Sequence, residues 1–276
     1  MTDLTHNPRL RPIASRHNTL VKELRWCFSH AELSPNSEFA VEGIRTIEEA
    51  IRSGLRLRAV FFNETGAAMA ERLCAQLGSE VEALLLPDDV FRSAVNTEMP
   101  QGVAALVTAK PSTIDALFTA PQPLLVVAGG IQDPGNLGTI IRSAEAFGAS
   151  GVVVADKTVS PWNAKVIRAA AGSLFRLPVV KSNLSGLLTL MKERGIRSLA
   201  AAATKGTPLP LVDFRQASAI FIGNEGSGLP REMVSRMDET ISIPQSSKVE
   251  SLNAGVAAAI ILYEAARQRL HLEVSR

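Results

Sequence analysis

Three separated stretches of the chain gather residue types that can do chemistry. The first, Gly129-Gly130-Ile131-Gln132-Asp133-Pro134-Gly135-Asn136, leads into a helical pattern that carries Arg142. Asn136 reads as the N-cap, its side chain taking an orphan N–H of the first turn. The spacing Leu137, Ile140, Ile141, Ala144, Phe147 gives one apolar stripe and leaves Arg142 on the flank, where a surface pair with Glu145 three residues on also accounts for it. The second stretch is Gly223-Asn224-Glu225-Gly226-Ser227-Gly228-Leu229-Pro230. Its glycines let backbone come close to a ligand or take positive φ. It is neither a P-loop nor a GxGxxG fingerprint, and a turn carboxylate without a role remains open for Glu225. The third runs from Ile243-Pro244-Gln245-Ser246-Ser247-Lys248 to Ser251-Leu252-Asn253. Ser251 reads as an N-cap and Asn253 falls in the first turn behind it. Helix capping alone explains Ser251 and part of Asn253.

The elements that must position these stretches fall into two sections. Residues 1–110 read as a small α/β unit: helix Thr19–Ser29, strand Phe39–Val41, helix Gly43–Ser53 stopped by Gly54, strand Leu57–Phe62, helix Ala67–Leu77, and strands Val81–Leu86 and Val103–Val107. Residues 111–123 contain Pro111, Pro121 and Pro123 around a short helix and read as a linker. Residues 124–276 alternate strand and helix. The strands are Leu124–Ala128, Val152–Ala155, Leu177–Val180, Ser198–Ala203, Ala219–Ile222 and Thr240–Ile243, and a long helix runs from Ser251 to about Leu270. This rhythm predicts a parallel sheet covered on both faces, and such sheets bind ligands at the carboxyl ends of their strands. All three stretches follow strands or lead into helices at that end.

Composition bounds the function. In 276 residues, 46% are hydrophobic, enough for ordinary cores, and no internal repeat is evident. The net charge of +2 is too mild to announce a nucleic-acid binder. The opening segment is more basic, with Arg9, Arg11, Arg16, Lys22 and Arg25 against Asp3 and Glu23. It reads as a basic arm or as a solvated terminus. Cys27 and Cys74 lie outside any metal-ligand spacing and read as reduced thiols in a cytoplasmic protein, with no metal expected. The apolar run 254–263 is too short for a membrane span.

Taken together and in order, the three stretches resemble the motifs of the SpoU (TrmH-like) family of RNA ribose 2′-O-methyltransferases, in the SPOUT superfamily. Asn136-Leu137-Gly138-Thr139-Ile140-Ile141-Arg142 is similar to the family's first motif, and Gly223-Asn224-Glu225-Gly226-Ser227-Gly228 to the second. Ile243-Pro244 with Ser251-Leu252-Asn253 is similar to the third, and the resemblance extends through Val166–Pro178, with Arg168. The first section, through Ser15-Arg16-His17-Asn18 and Phe39-Ala40-Val41-Glu42-Gly43, resembles the family's ribosomal-protein-like RNA-binding domain.

The resemblance implies an α/β fold with a C-terminal trefoil knot, a homodimer, and S-adenosylmethionine as methyl donor to structured, most simply ribosomal, RNA. It implies a catalytic set of Arg142, Asn136, Glu225, Ser251 and Asn253. Gly223, Asn224, Gly226, Ile243, Gln245 and Leu252 would hold the cofactor, and Arg9, Arg11, Arg16, Lys22, Arg25 and Arg168 the RNA. Gln245, Ser247 and Ala254 depart from residues usual in the family. Two rivals remain beside transfer RNA as the substrate. A dinucleotide-binding enzyme lacks its fingerprint here, and a non-catalytic RNA binder would not need the polar residues of all three motifs.

Overall fold

The computed structural model describes residues 7–95, 97–246 and 250–270, apart from the Leu270 side chain. The chain divides into two compact units, Met1–Pro111 with Trp162–Arg168, and Ser112–Pro161 with Ala169–Arg276. The segment 162–168, read from sequence as part of the second section, thus goes with the first unit. The Trp162 ring meets Phe39 there at 4.8 Å.

The first unit contains β1 (Leu10–Pro12), α1 (Thr19–His30), β2 (Glu38–Glu42), α2 (Ile44–Arg52), β3 (Arg56–Phe62), α3 (Ala70–Cys74), β4 (Glu82–Leu85), α4 (Asp88–Ala94) and β5 (Val103–Thr108). The strands form one mixed sheet in the order β1-β4-β3-β5-β2. Asn18 starts α1 by accepting from the N–H groups of Leu20 and Val21, and Ala31 ends it in the left-handed region at φ 53°. The buried face of α1 is Leu20, Val21, Leu24, Cys27 and Phe28. The Cys27 thiol there is pushed up to about 12, by burial first and then by the charges of Glu23 and Glu38.

Two short elements, β1 and α4, carry too few residues to show a period. The helix expected over 67–77 is a 3-10 turn, Gly66–Met69, followed by the five-residue α3. A side chain at Gly66 would overlap the Gly102 carbonyl at 1.8 Å, so the chain must turn tightly.

From Asn7 onward the opening segment packs into the first unit, which corrects the reading of a basic arm. Arg9 spends its guanidinium on the carbonyls of Cys74, Leu77, Gly78 and Val81, at 2.7 to 3.2 Å. Those carbonyls run from the last residue of α3 to the residue before β4, and Arg9 supplies the side-chain donors they take. Arg11 pairs with Glu82, Arg16 with Asp89 at 2.7 Å, and Arg25 donates to the Ser93 carbonyl at 2.8 Å.

The second unit contains β6 (Leu124–Gly129), α5 (Pro134–Ala146), β7 (Gly151–Val154), most of its sequence partner α6 (Ala164–Ala170) being assigned to the first unit, then β8 (Val179–Lys181), α7 (Leu184–Glu193), β9 (Arg197–Ala202), β10 (Thr207–Pro208), β11 (Ser218–Gly223), α8 (Arg231–Val234), β12 (Glu239–Ser242) and α9 (Ala254–Leu270). Seven strands make one parallel sheet in the order β10-β12-β9-β11-β6-β7-β8. β6 is buried along its whole length, as expected of a strand covered on both faces.

The chain runs outward from β6 through β7 to β8, then crosses to the other side of β6 to build the rest. The crevice between β6 and β11 is therefore the topological switch point, where doubly wound sheets bind ligands. Gly129 and Gly223, the last residues of these two strands, lie opposite each other in register. The first and second polar stretches leave the sheet from that pair.

Candidate functional site

Sequence and structure differ over what caps α5, and the difference builds the site. Asp133, not Asn136, is the N-cap: its Oδ1 accepts from the Asn136 N–H at 2.8 Å, and Pro134 follows in the first turn. Asn136 therefore sits inside the helix, 9% exposed, with its amide free for other partners. At α9 the cap is again not the expected residue, here lying two positions later. Asn253 caps the helix by accepting from the Val256 N–H at 3.2 Å, whereas Ser251 lies exposed ahead of it. The Asp-Pro pair at 133–134 was the available signal for the first correction.

The three stretches then close on one another. Asn253 Nδ2 donates to Asn136 Oδ1 at 2.7 Å, and Asn136 Nδ2 donates to Glu225 Oε1 at 2.6 Å. Residues from the start of α5, the loop after β11 and the start of α9 thus form one continuous polar chain. Asn224 supports it from the side. Its Oδ1 accepts from the N–H groups of Gly226 and Ser227, both at 3.0 Å, and its Nδ2 donates to the Gly130 carbonyl at 2.9 Å. The Asn224 side chain is therefore committed to folding its own loop and joining it to the first one. Gly223 has to be glycine, because a Cβ would stand 2.4 Å from the backbone of Gly228 and Leu229.

Beside this chain lies a cavity of about 480 Å³, within the range of small-molecule sites. Gly223, Asn224, Gly226, Ile243, Gln245 and Leu252, assigned to the cofactor from sequence, all line it, as do Glu225 and Ser251. Ile222, Leu229, Ile241 and Ile261 supply apolar wall. Glu225 and Glu250 are its charged residues, and no Lys or Arg lines it among the described residues. Such a lining suits a ligand with a positive centre and disfavours a pyrophosphate. Gln245 donates to the Ala203 carbonyl at 3.2 Å and so ties the third loop to the end of β9. Ser247 lies outside the described residues.

Arg142 is exposed on α5, six residues or about 9 Å along the axis from Asn136. Among the described residues it makes no ion pair and is not hydrogen-bonded to Asn136, Glu225 or Asn253. The expected pairing with Glu145 does not form, because Glu145 pairs with Arg176 at 2.5 Å. That hydrogen bond holds the Glu145 carboxyl below the usual range. Lys22 and Arg168 are likewise exposed with no ion-pair partner among the described residues. No group of three or more His, Cys, Asp or Glu is placed to hold a metal among the described residues.

Residues 123–263 match the SpoU rRNA methylase family, and residues 18–105 match the MRM3-like substrate-binding domain. The chain is 34% identical to the 23S rRNA (guanosine(2553)-2′-O)-methyltransferase RlmP of Bacillus subtilis, over 92% of this chain and 98% of that one. It is 31% identical to the 23S rRNA (uridine(2479)-2′-O)-methyltransferase of Streptomyces viridochromogenes, over 95% and 94% of the two chains. Among solved structures, the SpoU methyltransferase AviRb from that organism, in complex with the cofactor AdoMet, superposes with a TM-score of 0.78 at 28% identity. That alignment covers 92% of this chain and 98% of AviRb. The chain belongs to the SpoU rRNA methylase family and is an RNA methyltransferase that uses S-adenosylmethionine.

Proposed function

We propose that the chain methylates a ribose 2′-hydroxyl in the large-subunit (23S-type) ribosomal RNA. The observation that carries this is the polar chain Asn253–Asn136–Glu225 beside a cavity at the sheet's switch point that carries two carboxylates and, among the described residues, no cation. The two relatives named above support the choice of RNA.

Bound S-adenosylmethionine would supply a methyl group already activated on a cationic sulfur. The residues of the chain then have two tasks, alignment and proton removal. Gly223, Gly226, Ile243, Gln245 and Leu252 would hold the cofactor by backbone groups and apolar wall, and Asn224 by keeping the second loop folded. Alignment of this kind supplies several kcal/mol toward the barrier. Asn136, Glu225, Ser251 and Asn253 present donors and acceptors to the ribose. Arg142, permanently protonated, is no general base. It grips the neighbouring RNA phosphate and stabilises the oxygen as the carbon–oxygen bond forms and the carbon–sulfur bond breaks. The hydroxyl proton passes to a phosphate oxygen or water.

Lys22 and Arg168, with the outer faces of Arg11, Arg16 and Arg25, are assigned to RNA phosphates. Arg9 acts through structure. The first unit is then the RNA-binding domain, and the second carries the catalytic site and the family's knot, formed where the chain from β12 returns as α9. Val256, Ile260 and Tyr263 are exposed at helical spacing on α9, with relative exposures of 46%, 36% and 56%. This apolar stripe supports a homodimer, which a monomeric mass by light scattering would overturn. Free buried Cys27 and Cys74 fit a reducing, cytoplasmic location.

The test is 2′-O-methyl mapping of ribosomal and transfer RNA with the purified chain and the cofactor. Wild type is expected to add one ribose methyl to 23S rRNA, and Arg142→Ala to lose at least 100-fold in kcat. Methylation of transfer RNA alone would overturn the substrate, and near-normal Arg142→Ala turnover would overturn the mechanism.

A further inference from the structure

The exit of the chain from β6 is held by a hydroxyl that lies outside the cavity. Gly130, at φ +76°, donates its N–H to Thr158 Oγ1 at 2.8 Å. The same hydroxyl donates to the Ala128 carbonyl at 3.0 Å. One side chain thus bridges the residues on either side of Gly129, where the strand stops and the first loop starts. The neighbouring backbone adds to the clamp, with the Val159 N–H donating to the Ile131 carbonyl at 2.8 Å. Lys157 adopts φ +63°, a conformation costly for a residue with a Cβ, in the turn that delivers Thr158. On the opposite side, the Gly130 carbonyl accepts from Asn224 of the cofactor loop at 2.9 Å. Three residues on, Asp133 caps α5, and Asn136 and Arg142 follow on the helix.

We propose that Thr158 is a positioning residue for methyl transfer. Its hydroxyl fixes the peptide of Gly130, and through it the start of α5, without touching cofactor or RNA. A hydroxyl is required because only it accepts from one backbone group while donating to another in so small a volume. Asn224 grips the other peptide of the same residue, the Gly130 carbonyl, from the cofactor loop, so a misplaced Gly130 also misaligns the two loops relative to each other. The chemistry then suffers more than cofactor binding, since Thr158 is absent from the cavity wall.

The inference rests on the methyl-transfer reading for its kinetic readout alone. The experiment compares Thr158→Val, of nearly the same volume, with Thr158→Ser, measuring kcat on ribosomal RNA, Kd for S-adenosylmethionine by calorimetry, and backbone hydrogen exchange. Thr158→Val is expected to lower kcat at least tenfold, to leave Kd within twofold, and to speed exchange over residues 130–137. Thr158→Ser is expected to restore all three to near wild type. Wild-type kcat in the Val variant, a Kd loss as large as the kcat loss, or a Ser variant as slow as Val would each overturn the proposal. A wild type without activity would overturn the methyl-transfer reading instead. Hydrogen exchange then still decides whether Thr158 holds the start of α5, and unchanged exchange in the Val variant would sink it.

Discussion

The two units differ in how their most buried polar groups are partnered. In the first, the buried carboxylates Glu38, Glu42 and Glu48 are answered inside the unit, with the buried Asp88 Oδ1 as the exception among the described residues. Glu38 and Glu23 share Arg58 at 2.9 and 2.8 Å, and Glu48 takes the Arg72 fork at 2.8 Å. Glu42 accepts from the Thr97 hydroxyl and the Gln101 N–H. In the second unit, the polar chain Asn253–Asn136–Glu225 ends on a carboxylate with no cation in ion-pair range among the described residues. Carboxylates bonded in this way in the first unit join elements of the scaffold. In the second, donors and acceptors with remaining capacity stand at a cavity, where a ligand can complete them. The contrast separates groups that hold the fold from groups that can do chemistry.

The largest expected effect that could break this contrast comes from Asn136→Ala. Loss of the central amide uncouples Asn253 from Glu225, and misplacement of about 1 Å at such a site costs on the order of 100-fold in kcat. The stability loss should stay near 1 kcal/mol, the usual net worth of a neutral hydrogen bond. The check is kcat on ribosomal RNA set against urea unfolding of the same variant. A variant that unfolds readily yet turns over normally when folded would place Asn136 with the scaffold.

The parallel sheet was legible because its signal is periodic. β6 and β11 read as unbroken apolar runs between turn residues, and their parallel pairing follows from strand–helix alternation, whereas the strand order does not. Elements without a period were not legible. β1 is three residues long and includes Pro12, and α4 has under two turns. The motif residues could be named from their order along the chain, but their work could not. Asn136 read as a cap because Asn favours caps; Asp133 and Pro134 take that place one turn earlier and free Asn136 to bridge two loops. Arg9 read as part of a cationic arm, because nothing local reveals that four carbonyls some seventy positions on await it. Thr158 carried no local signal, since its partners lie far back along the chain at the end of β6. In each case a long-range hydrogen bond decided the role, and composition does not encode those.

A smaller expected effect sharpens the other side of the contrast. Arg58→Met keeps the stem of the side chain and removes the charge that answers Glu38, whose carboxylate is 5% exposed. Burial already raises the Glu38 carboxyl above its ordinary range, with Arg58 pulling it back and Glu23 adding to the rise. Breaking a buried pair costs several kcal/mol; Arg58 is itself 38% exposed, so water softens the loss to about 2 kcal/mol at pH 8. The pH dependence has a definite sign. A carboxyl whose folded value is raised contributes its full stability below the unfolded value, roughly 4.3, and loses it as pH rises through the folded value. Without Arg58 the folded value climbs further, so protonation relieves the variant as pH falls. Urea unfolding at pH 8 and pH 5 should therefore show the deficit of Arg58→Met shrinking in acid, with kcat per folded molecule unchanged. A deficit that stays constant or grows in acid would mean that Arg58 does not serve to neutralise Glu38, and the scaffold reading of the first unit's charges would fail there.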